Sequence, residues 1–277
     1  MTAKIFHHND ADGRCAAAIM SIYCRNHGYD YEFIEMDYKD CVPIERIQPL
    51  DFVAIVDFSF QPDVMAEVRK IATHVMWCDH HQTAKDYGYD DVDGFRDFTD
   101  KGLAGCECTW KACFPNIPIP EFCVMLGDYD SWRLFNQPKC FQFYEGLKLL
   151  DTSPGGGLWH GLIDGSASMN QIIEEGKAAI RYRDNYCSEI RHAFGYETEI
   201  SGHKAIAMNA YRFGSKQFGN DFHKYPVCLA YIHDGKRFTV SLYSENVDVS
   251  AIAKQFGGGG HKGAAGFVCN ELPWERV

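Results

Sequence analysis

The chain has 277 residues, 46% apolar and 23% charged, which suffices for one large domain or two ordinary ones with a sizeable core. Asp and Glu outnumber Lys and Arg by 38 to 27, a formal charge of -11. That balance argues against holding a long duplex by counterion release, although it leaves room for a short nucleotide in one local pocket. The 12 cysteines are scattered, and only Cys106 and Cys108 lie close together, so a zinc knuckle is not expected. No apolar run approaches the ~18 residues of a membrane span and no signal peptide is read at the start, so a cytoplasmic chain with reduced thiols is the expectation.

In chain order, "AKIF" reads as a short strand and the Ala-rich "GRCAAAIMSIYCRNHG" as a helix closed by glycine. "YEFIEM" and the nearly all-apolar "DFVAIVDF" follow as strands, then "PDVMAEVRKIAT" as a helix with proline near its start, then "HVMWCD" as a fourth strand. Strands alternating with helices predict a parallel sheet covered on both faces, with ligands beyond the carboxyl ends of its strands. "LAGCECTWKACF" and "EFCVMLGDYDSW" are helical, separated by "PNIPIP", and a long helix covers 168–194. Strand patterns then dominate in "HKAIAMNA", "YPVCLAYIHDG" and "KRFTVSLYSE", before a short helix "DVSAIAKQF" and the run "GGGGHKGAAGF". The expected fold class is α/β: a parallel-sheet domain over 1–165, a linker helix over 166–194, and a smaller α/β domain over 195–277.

The strand ends carry the chemistry. "HHNDADG" follows the first strand, Asp57 the third, and Asp79, His80 and His81 the fourth; "GDYD" adds Asp128 and Asp130. Each alone has a plainer reading, since an Asp after a strand caps a helix or starts a turn, and paired histidines decorate loops. Falling at successive ends of one parallel sheet, they gather at one edge. Carboxylates with a minority of imidazoles suit Mn²⁺ or Mg²⁺ better than Zn²⁺, and there are enough for two ions sharing a carboxylate, an arrangement used for in-line displacement at phosphorus.

"DADG", Asp57 and "DHH" at 79–81 resemble the motifs of the DHH phosphoesterase family, and "GGGGHKGAAGF" resembles the glycine-histidine motif of its associated C-terminal domain, in the nanoRNase and nucleotide phosphatase branch. The resemblance implies a two-domain hydrolase with two Mn²⁺ or Mg²⁺ ions. It implies Asp10 and Asp12 as ligands, one for each ion, Asp57 as the bridge and His80 as a further ligand. His81 then faces the substrate phosphate, and Asp79 orients the histidines. For the fourth motif the resemblance prefers Asp128, four residues before Trp132, with Asp130 as the alternative. Many relatives have a histidine where this chain has Phe6; His8 is the substitute, and His7 points to the opposite face of the strand.

Relatives also often show arginine where Tyr243 stands, so Tyr243 is expected to stack on a base or bond a phosphate instead. Gly258, Gly259, Gly260, His261 and Lys262 read as an anion cradle, against the alternative of a flexible turn. Arg14 and Arg133 are candidates to reach the substrate, against a plain surface role. The implied substrate is a short oligonucleotide, a dinucleotide or a nucleoside bisphosphate, gripped as the C-terminal domain closes, with no membrane and no long duplex as partner and a homodimer left open. The alternatives are a polyphosphatase of the same chemistry and a nucleotide sensor whose hydrolytic site has decayed.

Overall fold

The structure is a computed structural model that describes residues 1–89 and 91–275. It divides into two units, Met1–Ala178 and Ala179–Val277.

The first unit is built on four parallel strands, β1 (Thr2–His8), β2 (Asp30–Met36), β3 (Phe52–Val56) and β4 (His74–Cys78), in the order β2-β1-β3-β4. The interior strand β3 is buried at every position, as a parallel strand covered on two faces must be. Side chains alternate across the sheet, so Ile5 enters one core and Phe6 the other. Helix α1 (Ala11–Asn26) covers the first face, and its run Ala16, Ala17 and Ala18 is fully buried. Helix α2 (Pro62–Ile71) covers the other with Met65 and Val68.

Helices α3 (Gly105–Cys113), α4 (Glu121–Asp130), α5 (Lys139–Leu147) and α6 (Gly157–Asp164) extend the layer around α1. Cys15, Cys106 and Cys123 meet there from α1, α3 and α4, all unexposed, and burial pushes their thiols well above the usual range. They pack as small apolar groups. Helices α5 and α6 were not anticipated from the sequence. Gly- and Pro-rich breaks around them obscure the helical period.

Helix α7 (Met169–Phe194) is the expected long helix, but the division between units falls inside it. Ile172 and Ile173 join the core of the first unit, while Ile190 packs on apolar residues of the second. The helix is therefore shared between the units, where the sequence suggested a separate linker over 166–194.

The second unit holds a six-stranded mixed sheet ordered β5-β6-β7-β8-β10-β9: β5 (Tyr196–Ile200), β6 (His203–Asn209), β7 (Val227–His233), β8 (Phe238–Tyr243), β9 (Gly259–His261) and β10 (Ala264–Cys269). Only β6 and β7 run parallel; the other neighbours are antiparallel. Helix α8 (Val249–Gln255) packs Ile252 and Ala253 on one face, and the 3₁₀ segment Gly214–His223 packs Phe218 on the other. Among the described residues no helix is long and apolar enough to cross a membrane.

Candidate metal centre

Because β1, β3 and β4 are parallel and in register, with His7 opposite Val56 and Val56 opposite Cys78, the residues that follow them emerge at one edge. Asp10 is the N-cap of α1: its Oδ1 accepts from the Gly13 N–H at 2.9 Å, and its Oδ2 lies 2.8 Å from His8 Nδ1. Asp12 points instead to the start of α3, where it accepts from the N–H groups of Gly105 at 2.7 Å and Cys106 at 3.1 Å. A helix N-terminus is a natural seat for a carboxylate. Asp57 follows β3 at φ 51°, a left-handed conformation that Asp tolerates better than most residues, and Gly105 leaves the space its carboxylate fills.

These side chains converge in two groups. His8, Asp10 and Asp57 offer ligand atoms within 4.8 Å of one another, and so do Asp12, His80 and Asp130. Asp57 stands between them, with Oδ1 3.2 Å from His80 Nε2 and Oδ2 3.9 Å from His8 Nδ1. Both Asp57 oxygens are buried without a hydrogen-bond partner. Burial, followed by the charges of Asp12 and Asp10, pushes the Asp57 carboxyl well above its ordinary range, and the same causes raise Asp130. Buried carboxylates with unused oxygens and no compensating cation are the donor set that a hard divalent ion satisfies, so the residues fit such ions.

Asp79 plays a different part. It is fully buried and accepts from Ser59 Oγ, from the His80 N–H at 2.8 Å, and from His81 Nδ1 at 2.7 Å. Burial opposes its charge, but the His81 hydrogen bond and charge prevail and lower its pKa; His81 is raised in return despite its own burial. Asp79 thus fixes the imidazole with Nδ1 turned inward and Nε2 left for a ligand.

The preference for Asp128 over Asp130 is reversed by the geometry. Asp128 is buried and fully engaged, by Arg133 Nε at 3.1 Å, the Asn136 N–H at 2.9 Å and Asn136 Nδ2 at 2.5 Å. Asp130, the last residue of α4, places Oδ2 3.3 Å from His80 Nε2. The spacing to Trp132 did not discriminate, since two residues along a helix rotate a side chain by about 200° onto another face.

Phe6 is wholly buried in the core and His7 Nδ1 lies 2.8 Å from the His8 carbonyl, which leaves His8 as the histidine of β1 beside the carboxylates. Arg133 is not at the site's surface. It is buried between Glu107 and Asp128, at 2.8 and 3.1 Å, and it braces α3 against α4. Arg14 is held by Glu35 through Nε at 2.7 Å and Nη2 at 3.0 Å, so it is committed to a surface pair.

In the second unit the glycine run has separate structural reasons. The Gly257 N–H bonds Lys254 O and the Gly258 N–H bonds Ala253 O, which ends α8 in a Schellman motif with Gly257 at φ 77°. Gly258 packs against the backbone of β10, where no side chain fits, whereas Gly259 has open space around it. Gly260, at φ 142°, belongs to the β9–β10 hairpin, which leaves His261 and Lys262 exposed near its tip. The run thus forms the C-terminal turn of α8 and part of the β9–β10 hairpin.

Tyr243 lies in register with Ala264, and Ala264 with His261, so the three share one face of the sheet. Tyr243 lines a hollow of about 330 Å³ with Tyr211, Arg212, Gln217 and Ser241. Arg212, at φ 88°, makes no ion pair among the described residues, and Gln217 Oε1 is buried without a partner. Neither residue was picked out from the sequence, where both sit in an unpatterned stretch.

A domain model, "DHHA1 domain", matches residues 198–276. An uncharacterized protein of Acanthamoeba polyphaga mimivirus is 24% identical across 95% of this chain, and the chain spans 63% of that relative's length. Among solved structures, a pGpG-specific phosphodiesterase from Vibrio cholerae aligns over 98% of this chain and 94% of its own, at 13% identity and a TM-score of 0.57. An exonuclease RecJ bound to manganese aligns over 98% and 86%, at 14% identity and 0.55. An exopolyphosphatase-related protein from Bacteroides fragilis aligns over 98% and 87%, at 12% identity and 0.53. These likenesses show a shared two-unit α/β fold. Residues 198–276 thus resemble a DHHA1 domain, and the chain as a whole shares its fold with these structures.

Proposed function

We propose that the chain is a phosphoesterase dependent on divalent cations, Mn²⁺ or Mg²⁺, that hydrolyses short oligonucleotides, dinucleotides or nucleoside bisphosphates. The observation that carries this reading is the Asp57 carboxylate, buried with both oxygens unpartnered between two groups of ligand side chains. His8, Asp10 and Asp57 would hold one ion and Asp12, His80 and Asp130 the other, with Asp57 shared. Ions bound there supply a Lewis acid that acidifies water and offsets charge on the phosphoryl oxygens.

The chain's own groups do the rest. Asp79, anchored by Ser59, holds His81 so that Nε2 can donate to a phosphoryl oxygen as charge builds on it. Asp12 is buried and anchored by the N–H groups at the start of α3, and the remaining lone pairs of its carboxylate are left for an ion. In the second unit, Arg212, without an ion-pair partner among the described residues, lies beside Tyr211 and Tyr243 and offers a cation and aromatic surface to a nucleotide phosphate and base. The pGpG specificity named for the Vibrio structure and the manganese named for RecJ agree in kind with a short nucleotide substrate and a divalent ion.

The test is release of mononucleotide or phosphate by the full chain with Mn²⁺, offered a dinucleotide, an adenosine bisphosphate and a short polyphosphate. Turnover abolished by chelation and by Asp57→Ala is the expected result. Preference for the polyphosphate would move the substrate to an inorganic chain. Nucleotide binding without turnover of anything would make the protein a sensor.

A further inference from the structure

Tyr38 stands at the rim of the metal centre and is used by nothing described above. One face of its ring stacks on Phe58, with centroids 4.5 Å apart and planes 24° apart. His81 meets it edge-on at 5.5 Å, and His8 lies tilted at 49° to it at 5.6 Å. Phe58 beneath is buried, yet Tyr38 is 46% exposed, and no further aromatic ring covers it among the described residues. Nearly half of the residue is thus exposed beside the two histidines, with Phe58 stacked on one face.

The ring is held there by the chain. The Asp40 N–H donates to the Asp37 carbonyl at 2.8 Å, and the Asp37 N–H donates to Asp40 Oδ2 at 2.8 Å, closing a turn around Tyr38. Asn9, inside the first motif, reaches Asp37 Oδ2 at 3.4 Å. The turn after β2 is thus tied to the loop that carries Asp10. An aromatic ring serving only the core would be covered on both faces; this one presents a flat apolar surface at the edge of a charged, polar site.

We infer that Tyr38 is a specificity-determining residue, on whose ring a nucleobase of the substrate stacks while the adjoining phosphate lies at the metal centre. The inference rests on the phosphoesterase reading and narrows it to base-bearing esters over inorganic polyphosphate. A base on Tyr38 continues the stack that Phe58 begins, and stacking of this kind tolerates every base because each has a π-face. The phenol adds no general base: burial first, then the charges of Asp79 and Asp57, keep it protonated far above its usual range.

The experiment compares Tyr38→Ala, Tyr38→Leu and Tyr38→Phe in the full chain with Mn²⁺, on a dinucleotide and on inorganic tripolyphosphate. Tyr38→Ala and Tyr38→Leu are expected to lower kcat/KM for the dinucleotide by about 10- to 100-fold, mainly through KM, with tripolyphosphate turnover changed by less than about twofold. Tyr38→Phe retains the stacking face and stays within about threefold of the unsubstituted chain. Equal losses on both substrates, or no loss on either, overturn the inference while leaving the hydrolase reading intact. If the unsubstituted chain turns over neither substrate, the hydrolase reading falls. Equilibrium binding of the dinucleotide in Ca²⁺ then decides the inference by itself, with a loss in Tyr38→Ala supporting it and unchanged binding overturning it.

Discussion

Gly105 stands directly against Asp57. A β-carbon at position 105 would overlap the Asp57 carboxylate and its own β-carbon, well inside van der Waals contact. The same residue donates its N–H to Asp12 at 2.7 Å. One glycine therefore sets the positions of two carboxylates from two different strand ends. We expect Gly105→Ala to lower Mn²⁺ affinity by about 10- to 100-fold through displacement of Asp57, as loss of supporting contacts does in other metal sites. Calorimetric titration with Mn²⁺ checks this, with circular dichroism to verify the fold.

Asp128 and Asp130 separate by what each substitution damages. Asp128→Ala leaves the buried Arg133 with Glu107 as its one remaining carboxylate among the described residues, and is expected to cost about 3 kcal/mol of stability. Asp130→Asn removes a carboxylate from the cluster and is expected to weaken Mn²⁺ binding without lowering the melting temperature of the metal-free chain. Thermal melts with and without Mn²⁺ distinguish the two. A metal-binding defect confined to Asp128→Ala would restore the assignment that sequence spacing prefers.

The pH dependence of the metal-free chain follows from the raised Asp57 carboxyl. A carboxyl whose folded pKa lies above its unfolded value binds its proton more tightly in the folded state. Its contribution is complete below the unfolded value near ~4 and is lost as pH rises through the folded value. Asp57→Asn carries no such charge. In EDTA it is expected to match the unsubstituted chain at pH ~4 and to melt higher at neutral pH, by about 2–4 °C for each kcal/mol of repulsion relieved. With Mn²⁺ the order reverses, because the ion stabilises only the chain that binds it.

Arg212 is expected to set the affinity of the second unit for phosphate. Arg212→Ala should weaken binding of a nucleoside monophosphate by about 10- to 100-fold while leaving the corresponding nucleoside nearly unchanged, since an ion pair and its hydrogen bonds contribute about 1.5–3 kcal/mol. Isothermal titration of both ligands in EDTA separates this from the metal centre. Equal affinities of the variant and the unsubstituted chain for the monophosphate would remove the hollow around Tyr243 from the proposal.

The parallel sheet, most of its helices and the identity of the clustered side chains were legible in the residues themselves. Strand periodicity and the apolar run "DFVAIVDF" specify a sheet covered on two faces, and a parallel sheet brings its carboxyl ends to one edge whatever the loops do. That is why the strand pattern alone brings His8, Asp10, Asp12, Asp57 and the Asp79–His81 motif to one edge. The short helices Lys139–Leu147 and Gly157–Asp164 and the strand Tyr196–Ile200 were not legible, because each is held by packing that local pattern does not encode.

Which of two nearby residues faces the site was decided only by the tertiary structure. Asp128 and Asp130 are both aspartates of one helix turn, and only the position of Arg133 and Asn136 commits the first to bracing. Arg14 and Arg133 carry the same charge as Arg212, but Glu35 claims one, Glu107 and Asp128 claim the other, and Arg212 remains unpaired among the described residues. Composition and spacing determine which chemistry is available, since they list the donors and the edge at which strands end. Partner choice is settled by packing, where a buried charge goes to whichever opposite group the tertiary structure places within hydrogen-bond reach.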